Sequence, residues 1–199
     1  MIGSIAVTLA GIVLFLFLFW RRLKEDYPSN QIFTTAFYVL GGILLGYAVS
    51  LKVSPASWFW IELAGIILGF ALGILRYKLR FFEVLEALLL GLLPWLGFIY
   101  LRDSIENSSL HSFLAFFATA CLITLFAFLS SHYKHFAWYK SGRIGFSGLA
   151  TLGTFFLVRA AFASFFPFVI SFIGKYEAIL SGAAAFIFFL ATFNLARST

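Results

Sequence analysis

The chain has 199 residues, of which 62% are hydrophobic and 11% charged, against roughly 45–50% and 25% in a soluble globular domain. That balance excludes an ordinary soluble fold. The charges fall between long apolar runs, which predicts an all-α polytopic membrane protein, a single integral domain over residues 1–199 with about seven transmembrane helices.

The formal net charge of +6 comes mostly from short clusters at the predicted membrane edges, where cations are retained on the cytoplasmic side; no nucleic-acid partner is needed to explain it. Residues 2–20 form the first predicted span, about 28 Å long at the helical rise. No cationic segment precedes this span and arginines follow it, so it reads as retained and not as a cleaved signal. Residues 21–30 contain Pro28 and read as a loop, and span 2 follows at about 32–51, closed by Lys52, Ser54 and Pro55. Trp58 and Trp60 belong to an interfacial belt at the entry of span 3, residues 58–75. The turn Arg76-Tyr77-Lys78-Leu79-Arg80 leads into span 4, residues 84–101, which holds Gly91 and Pro94.

After the polar stretch 102–107, span 5 covers roughly 111–129. Residues 130–143 mix His132, Lys134, His135 and Lys140 with Tyr133, Phe136, Trp138 and Tyr139, a composition suited to the headgroup layer. Span 6 begins near residue 144 and ends at about 162–165, with Arg159 inside it. Residues 167–173 are too few to cross, so they are either interfacial or a bent extension of span 6; residues 174–177 then introduce span 7, 178–196. The lone Cys121 lies in an apolar run and reads as a small hydrophobe, with no internal disulfide to make.

Loop charges orient the chain. The loops after spans 1, 3 and 5 carry three cations each (Arg21, Arg22, Lys24; Arg76, Lys78, Arg80; Lys134, Lys140, Arg143), and those after spans 2, 4 and 6 carry one each, Lys52, Arg102 and Lys175. The alternation predicts the N-terminus outside and the C-terminus in the cytoplasm.

Span 3 carries Gly65-x-x-x-Gly69-x-x-x-Gly73 and span 2 carries Gly42-x-x-x-Gly46. Glycines four apart let a neighbouring backbone approach where lipid supplies no hydrophobic drive for association. The two spans are therefore candidates to pack together; the alternative is that either stripe accommodates a bulky partner.

Arg159 lies fifteen residues into span 6, about 22 Å across and so in the outer leaflet. Such a cation must be paired, snorkelled or directed into a polar cavity, which makes it a clamp for a lipid phosphate or one half of an ion pair. Glu62 reaches a similar depth in span 3 and reads as Arg159's partner, a base, or an interfacial residue beside the tryptophans. His111, Arg102 and Asp103 stand at the same membrane face; an imidazole there would accept a proton near neutral pH, or is simply a loop histidine. Tyr38, Tyr47 and Tyr100 offer hydroxyls to a headgroup or act as anchors. Glu83 and Glu86 start span 4, where carboxylates suit a helix N-terminus and balance the basic turn. His132 and His135 lack a third ligand nearby, so neither metal nor cofactor is expected, and no ionisable relay crosses the bilayer as an ion-coupled transporter requires.

Several stretches resemble the prolipoprotein diacylglyceryl transferases, bacterial inner-membrane enzymes with seven spans. Trp20-Arg21-Arg22-Leu23 is similar to the family's first basic exit, and Leu40-Gly41-Gly42-Ile43-Leu44-Leu45-Gly46-Tyr47 to its glycine-rich second span, without that span's arginine. Leu63-Ala64-Gly65-Ile66-Ile67-Leu68-Gly69 resembles its His-Gly-Gly segment, with Leu63 in place of the histidine, and Phe81-Phe82-Glu83-Val84-Leu85-Glu86 the run entering its signature helix. In that signature Tyr100 and Asp103 stand at the arginine and asparagine positions, with Arg102 adjacent. Ser141-Gly142-Arg143 resembles the entry to span 6, and Arg159 the later arginine, displaced by about a turn.

The resemblance implies transfer of a diacylglyceryl group from phosphatidylglycerol to the lipobox cysteine of a secreted precursor in the bacterial cytoplasmic (inner) membrane. Arg159 and Arg102 would then hold the phosphate with Asp103, Tyr100 and Tyr47 lining the site, and Glu62 or His111 would take the thiol proton. A second reading is a non-enzymatic phospholipid-binding or assembly protein; a small transporter would need polar groups reaching both faces.

Overall fold

In the computed structural model residues 2–136, 139, 144–166 and 168–197 are described. Trp138, Lys140, Ser141, Gly142, Arg143 and Pro167, which carry parts of the predicted interfacial loop, span 6 entry and connection, lie outside them. Among the described residues seven α-helices make up the fold: α1 (Ile2–Leu23), α2 (Ser29–Val53), α3 (Trp58–Tyr77), α4 (Phe81–Asn107), α5 (Leu110–His132), α6 (Phe146–Phe165) and α7 (Glu177–Arg197). Each is long and apolar enough to cross a membrane, and there is no strand among the described residues. A helix satisfies its backbone within itself, which is what an apolar segment in hydrocarbon requires. The lipid-facing surface carries large exposed side chains such as Leu44, Leu68, Leu72, Phe117 and Phe186.

α4 is the centre of the bundle. Its apolar window is 61% buried, against 17–33% for α1, α2, α3, α5 and α7 and 50% for α6. It packs on α1 and α5, while α2 pairs with α3 and α6 with α7. Phe15, Phe19 and Leu23 of α1 meet Val84, Leu88 and Trp95 of α4 in one core cluster; Phe59, Leu93, Phe126, Phe155 and Phe156 fill a second.

The α2–α3 contact is made by glycine. A Cβ added to Gly42 would run into the carbonyl oxygen of Gly65, one on Gly65 into that of Gly42, and one on Gly69 into that of Tyr38. At Gly46 an added Cβ would come within 2.7 Å of the Glu62 Cα, and at Gly73 it would strike the Thr35 side chain. The two backbones touch directly, so packing in lipid comes from van der Waals contact at short range.

Several helices run past their predicted ends, and at α1 and α4 the extension takes in charged residues. α1 continues to Leu23, so Arg22 projects from a helix. α4 continues to Asn107, which puts Arg102 and Asp103 on its last turns and not in a loop. Polar residues normally end a predicted span, but these pair along the helix: Arg102 Nε donates to Glu106 Oε2 at 2.9 Å and Asn107 Nδ2 to Asp103 Oδ1 at 2.7 Å. Ser108, left-handed at φ 48, then stops the helix, and the Ser109 side chain caps α5 by accepting from Ser112 N.

Candidate functional site

Arg159 is buried on the face of α6 that looks into the bundle, with 4% of its surface exposed. It lies toward the end where α4 and α6 finish and α3, α5 and α7 begin. Glu177, the first residue of α7, is fully buried against it, with Nη2 to Oε1 2.7 Å and Nε to the same oxygen 3.0 Å. The Oη of Tyr100 from α4 accepts from Nη1 at 3.1 Å. Ser171, in the non-helical connection after α6, accepts twice: its Oγ from Nη1 at 2.9 Å and its carbonyl oxygen from Nη2 at 3.1 Å.

These bonds use every guanidinium proton. Arg has five N–H donors, and the Nε, Nη1 and Nη2 contacts number five. Phe59 of α3 lies flat over the cation, with Cζ 3.6 Å from the ring centroid, and Phe172 and Phe155 stand at 5.0 and 5.6 Å. Aromatic faces complete the desolvated shell. The Glu177 carboxylate is equally occupied: besides Arg159, Ser181 Oγ donates to Oε1 at 2.6 Å, while Trp60 Nε1 at 2.9 Å and Ile173 N at 3.3 Å donate to Oε2. A buried ion pair survives only when its remaining lone pairs and protons are met in this way.

Glu62 is therefore not the partner of Arg159. Helical period explains why: Glu62 precedes Gly65 by three residues and Gly69 by seven, so it extends the glycine stripe and lies on the α2 face beside Gly46. Phe59 and Trp60, three and two residues before Glu62, take the face toward α6 and α7. His111 stands at the mouth of α5 with its ring 5.6 Å from Phe166 and 6.2 Å from Phe168, and makes no hydrogen bond to the Arg159 cluster. Asp103 accepts from Asn107 and from the Ser112 hydroxyl, and Arg102 pairs with Glu106 at 2.8 Å; both sit beyond Tyr100 on α4. Tyr47 is half exposed on α2. Of the residues that the sequence nominated, the structure joins Arg159 and Tyr100.

Between α4, α5 and α6, beside this cluster, lies a cavity of about 20 Å³ lined by Tyr100, Ala115, Thr119, Arg159, Phe162 and Phe172. That is room for about one water molecule.

Sequence reading passed over Glu177, Ser171 and Ser181. The available signal was Glu177-x-x-x-Ser181, an acid and a hydroxyl on one face at the start of an apolar span.

A second polar centre occupies the opposite end. Glu86 is 2% exposed and does more than balance the basic turn: Oε2 takes Arg22 Nη2 at 2.6 Å, and Oε1 takes Gly145 N at 3.1 Å and Ser147 Oγ at 2.5 Å. The carboxylate thus caps the start of α6 while holding α1 to α4. Glu83 receives Tyr27 Oη at 2.6 Å and Arg80 Nη1 at 2.9 Å. The Glu83 carboxylate holds the Arg80 guanidinium above its usual range, and burial, then the bond to Glu83, pushes the Tyr27 hydroxyl up from 10.0.

Compared with family models, with curated proteins and with solved structures, the chain shows no match.

Proposed function

We propose that this chain is a phospholipid-binding membrane protein of the diacylglyceryl-transferase type, resident in the bacterial cytoplasmic membrane, with Arg159 and Tyr100 as its headgroup contacts. One observation carries the reading. Arg159, which resembles the family's later arginine, and Tyr100, which stands at the arginine position of its signature helix, come from sequence positions 59 residues apart and meet in a single buried hydrogen bond of 3.1 Å. Their cluster is closed by phenyl rings and a short non-helical connection, the sort of irregular backbone that membranes tolerate only where protein buries it.

Binding without turnover is favoured over transfer because, among the described residues, no uncommitted base stands beside the cation. Thiol attack needs a proton acceptor within hydrogen-bond reach of the nucleophile. Glu62 faces α2 and His111 packs on phenyl rings, while Glu177 already accepts five hydrogen bonds. Diacylglyceryl transfer from phosphatidylglycerol to a lipobox cysteine is the second reading. The Arg159–Tyr100 contact favours it: in that reaction the guanidinium would stabilise the leaving glycerol phosphate.

Native mass spectrometry of the purified protein tests the first reading. Phosphatidylglycerol should be retained by the native chain and reduced in Tyr100→Phe; equal retention by both would refute it. A lipobox peptide incubated with phosphatidylglycerol and the protein separates the two readings, since thioether product appears only under the second.

A further inference from the structure

The four oxygens that accept from Arg159 are not equivalent. Glu177 belongs to α7, which packs extensively on α6, and Tyr100 to the central α4. Ser171 belongs to a stretch, residues 168–173, with no regular structure and one hydrogen bond between its own backbone groups, Phe172 N to Val169 O at 3.0 Å. Otherwise side chains hold it: Trp58 Nε1 donates to the Ile170 carbonyl at 2.9 Å, Arg159 donates to both oxygens of Ser171, Tyr100 Oη lies 2.7 Å from Ser171 Oγ, and Glu177 accepts from Ile173 N.

Ser171 also takes a distinctive edge of the cation. Glu177 covers the Nε–Nη2 edge, whereas the hydroxyl and carbonyl of Ser171 lie on Nη1 and Nη2. Two oxygens across those nitrogens are what a phosphate ester presents to the guanidinium fork. The adjoining cavity of about 20 Å³ holds about one water, so no phosphate enters while Ser171 is in place.

The stretch is anchored by side chains and not by regular backbone pairing. Val169, Ser171 and Phe172 are buried, while Phe168 is 79% and Ile170 43% exposed. It ends at Gly174, in the left-handed region at φ +68 with nothing within 4 Å of an added Cβ, a backbone setting that only glycine adopts freely.

We propose that residues 168–173 are an inhibitory cap in which Ser171 substitutes for two oxygens of a phosphate ester on Arg159, and that withdrawal of the cap opens a site for a phosphate oxyanion made of the Nη1–Nη2 fork and the Tyr100 hydroxyl. The cap rests on the headgroup reading above and adds its regulation. Glu177 stays in place throughout, so the open site keeps a neutral ion pair and gains only the ligand's charge.

Trp58→Phe tests this without touching Arg159. It removes one hydrogen bond to the cap and keeps the aromatic ring. The native and variant chains are placed in nanodiscs of a phosphate-free galactolipid with a minor fraction of phosphatidylglycerol. Amide exchange over residues 168–173 should rise about fivefold in the variant, the effect of one lost hydrogen bond, and retained phosphatidylglycerol by a similar factor. Adding Tyr100→Phe should cancel the gain in lipid while exchange stays fast. Faster exchange with unchanged lipid retention overturns the cap. Equal retention by native and Trp58→Phe protein, lowered by Tyr100→Phe in both, overturns the cap and leaves the headgroup reading standing. No phosphatidylglycerol in any of the proteins overturns the headgroup reading itself. Radiolabelled inorganic phosphate in discs of galactolipid alone distinguishes the sources: retention by Trp58→Phe assigns the opened fork to free phosphate, and retention of phosphatidylglycerol only assigns it to the lipid.

Discussion

Arg159 and Glu177 lie eighteen positions apart in the chain and 2.7 Å apart in space, with 4% and none of their side-chain surface exposed. The pair fixes how α6 is joined to α7, because the chain between them must fold back to bring the start of one helix against the last turns of the other. Breaking it from one side leaves an uncompensated charge in a low-dielectric interior, at a cost of about 3–5 kcal/mol. Arg159→Met and Glu177→Leu should each lower the thermal midpoint in detergent strongly. Arg159→Met with Glu177→Leu should lose much less than the sum of the single changes, since neither charge is left alone. Additive losses in a double-mutant cycle would show that the two residues do not act as a pair.

The glycines of α2 and α3 predict opposite outcomes for the same substitution. Gly65→Ala puts a methyl group onto the carbonyl of Gly42, and a backbone cannot yield as a side chain does, so the cost should be about 1–3 kcal/mol. Gly41→Ala meets nothing within 4 Å and gains helix propensity of up to about 1 kcal/mol. Thermal midpoints of the two variants should fall on either side of the native value. If both fall together, the helices are not held by this contact.

The seven helices were legible because apolar runs of bilayer length leave the backbone no alternative to helix. Azimuth was partly legible: the glycine period that marks the α2-facing side of α3 also carries Glu62 onto that side, away from Arg159. What the sequence concealed was long-range choice of partner. Glu177 reads as one more acid at the edge of a span, and its burial follows only once the chain after α6 turns back over Arg159. Glu86 was hidden similarly, since nothing local to Glu83–Glu86 announces that Arg22 and the start of α6 converge on it. The helical continuation to Asn107 escaped because charge was read as loop, although Arg102 and Glu106 are spaced to pair along a helix.

Tyr27 makes stability sensitive to alkali. Burial and its bond to Glu83 raise its folded pKa above the ordinary 10.0, so the folded state prefers the neutral phenol. Its contribution is complete below about pH 10, the unfolded value, and is lost as pH rises through the higher folded value. Stability of the native chain should therefore decline above that point, and Tyr27→Phe should remove this part of the decline while being less stable near neutrality. Parallel pH curves for the two proteins above pH 10 would place the alkaline loss elsewhere.

Orientation decides which leaflet the Arg159 cluster faces. The cluster lies at the end shared by the last turns of α4 and the first of α7, while the cation-rich connections, Arg21–Lys24 and Arg76–Arg80, lie at the other. Retention of cations in the cytoplasm predicts that Arg159 faces the outer leaflet. In a Cys121→Ser background, single cysteines replacing Lys52 and Asn107 should react with a membrane-impermeant maleimide on intact cells. Cysteines replacing Glu25 and Lys78 should react only after permeabilisation. The reverse pattern would put Arg159 in the cytoplasmic leaflet. A secreted lipobox precursor could not reach it there, and a headgroup bound at the site would belong to the inner monolayer.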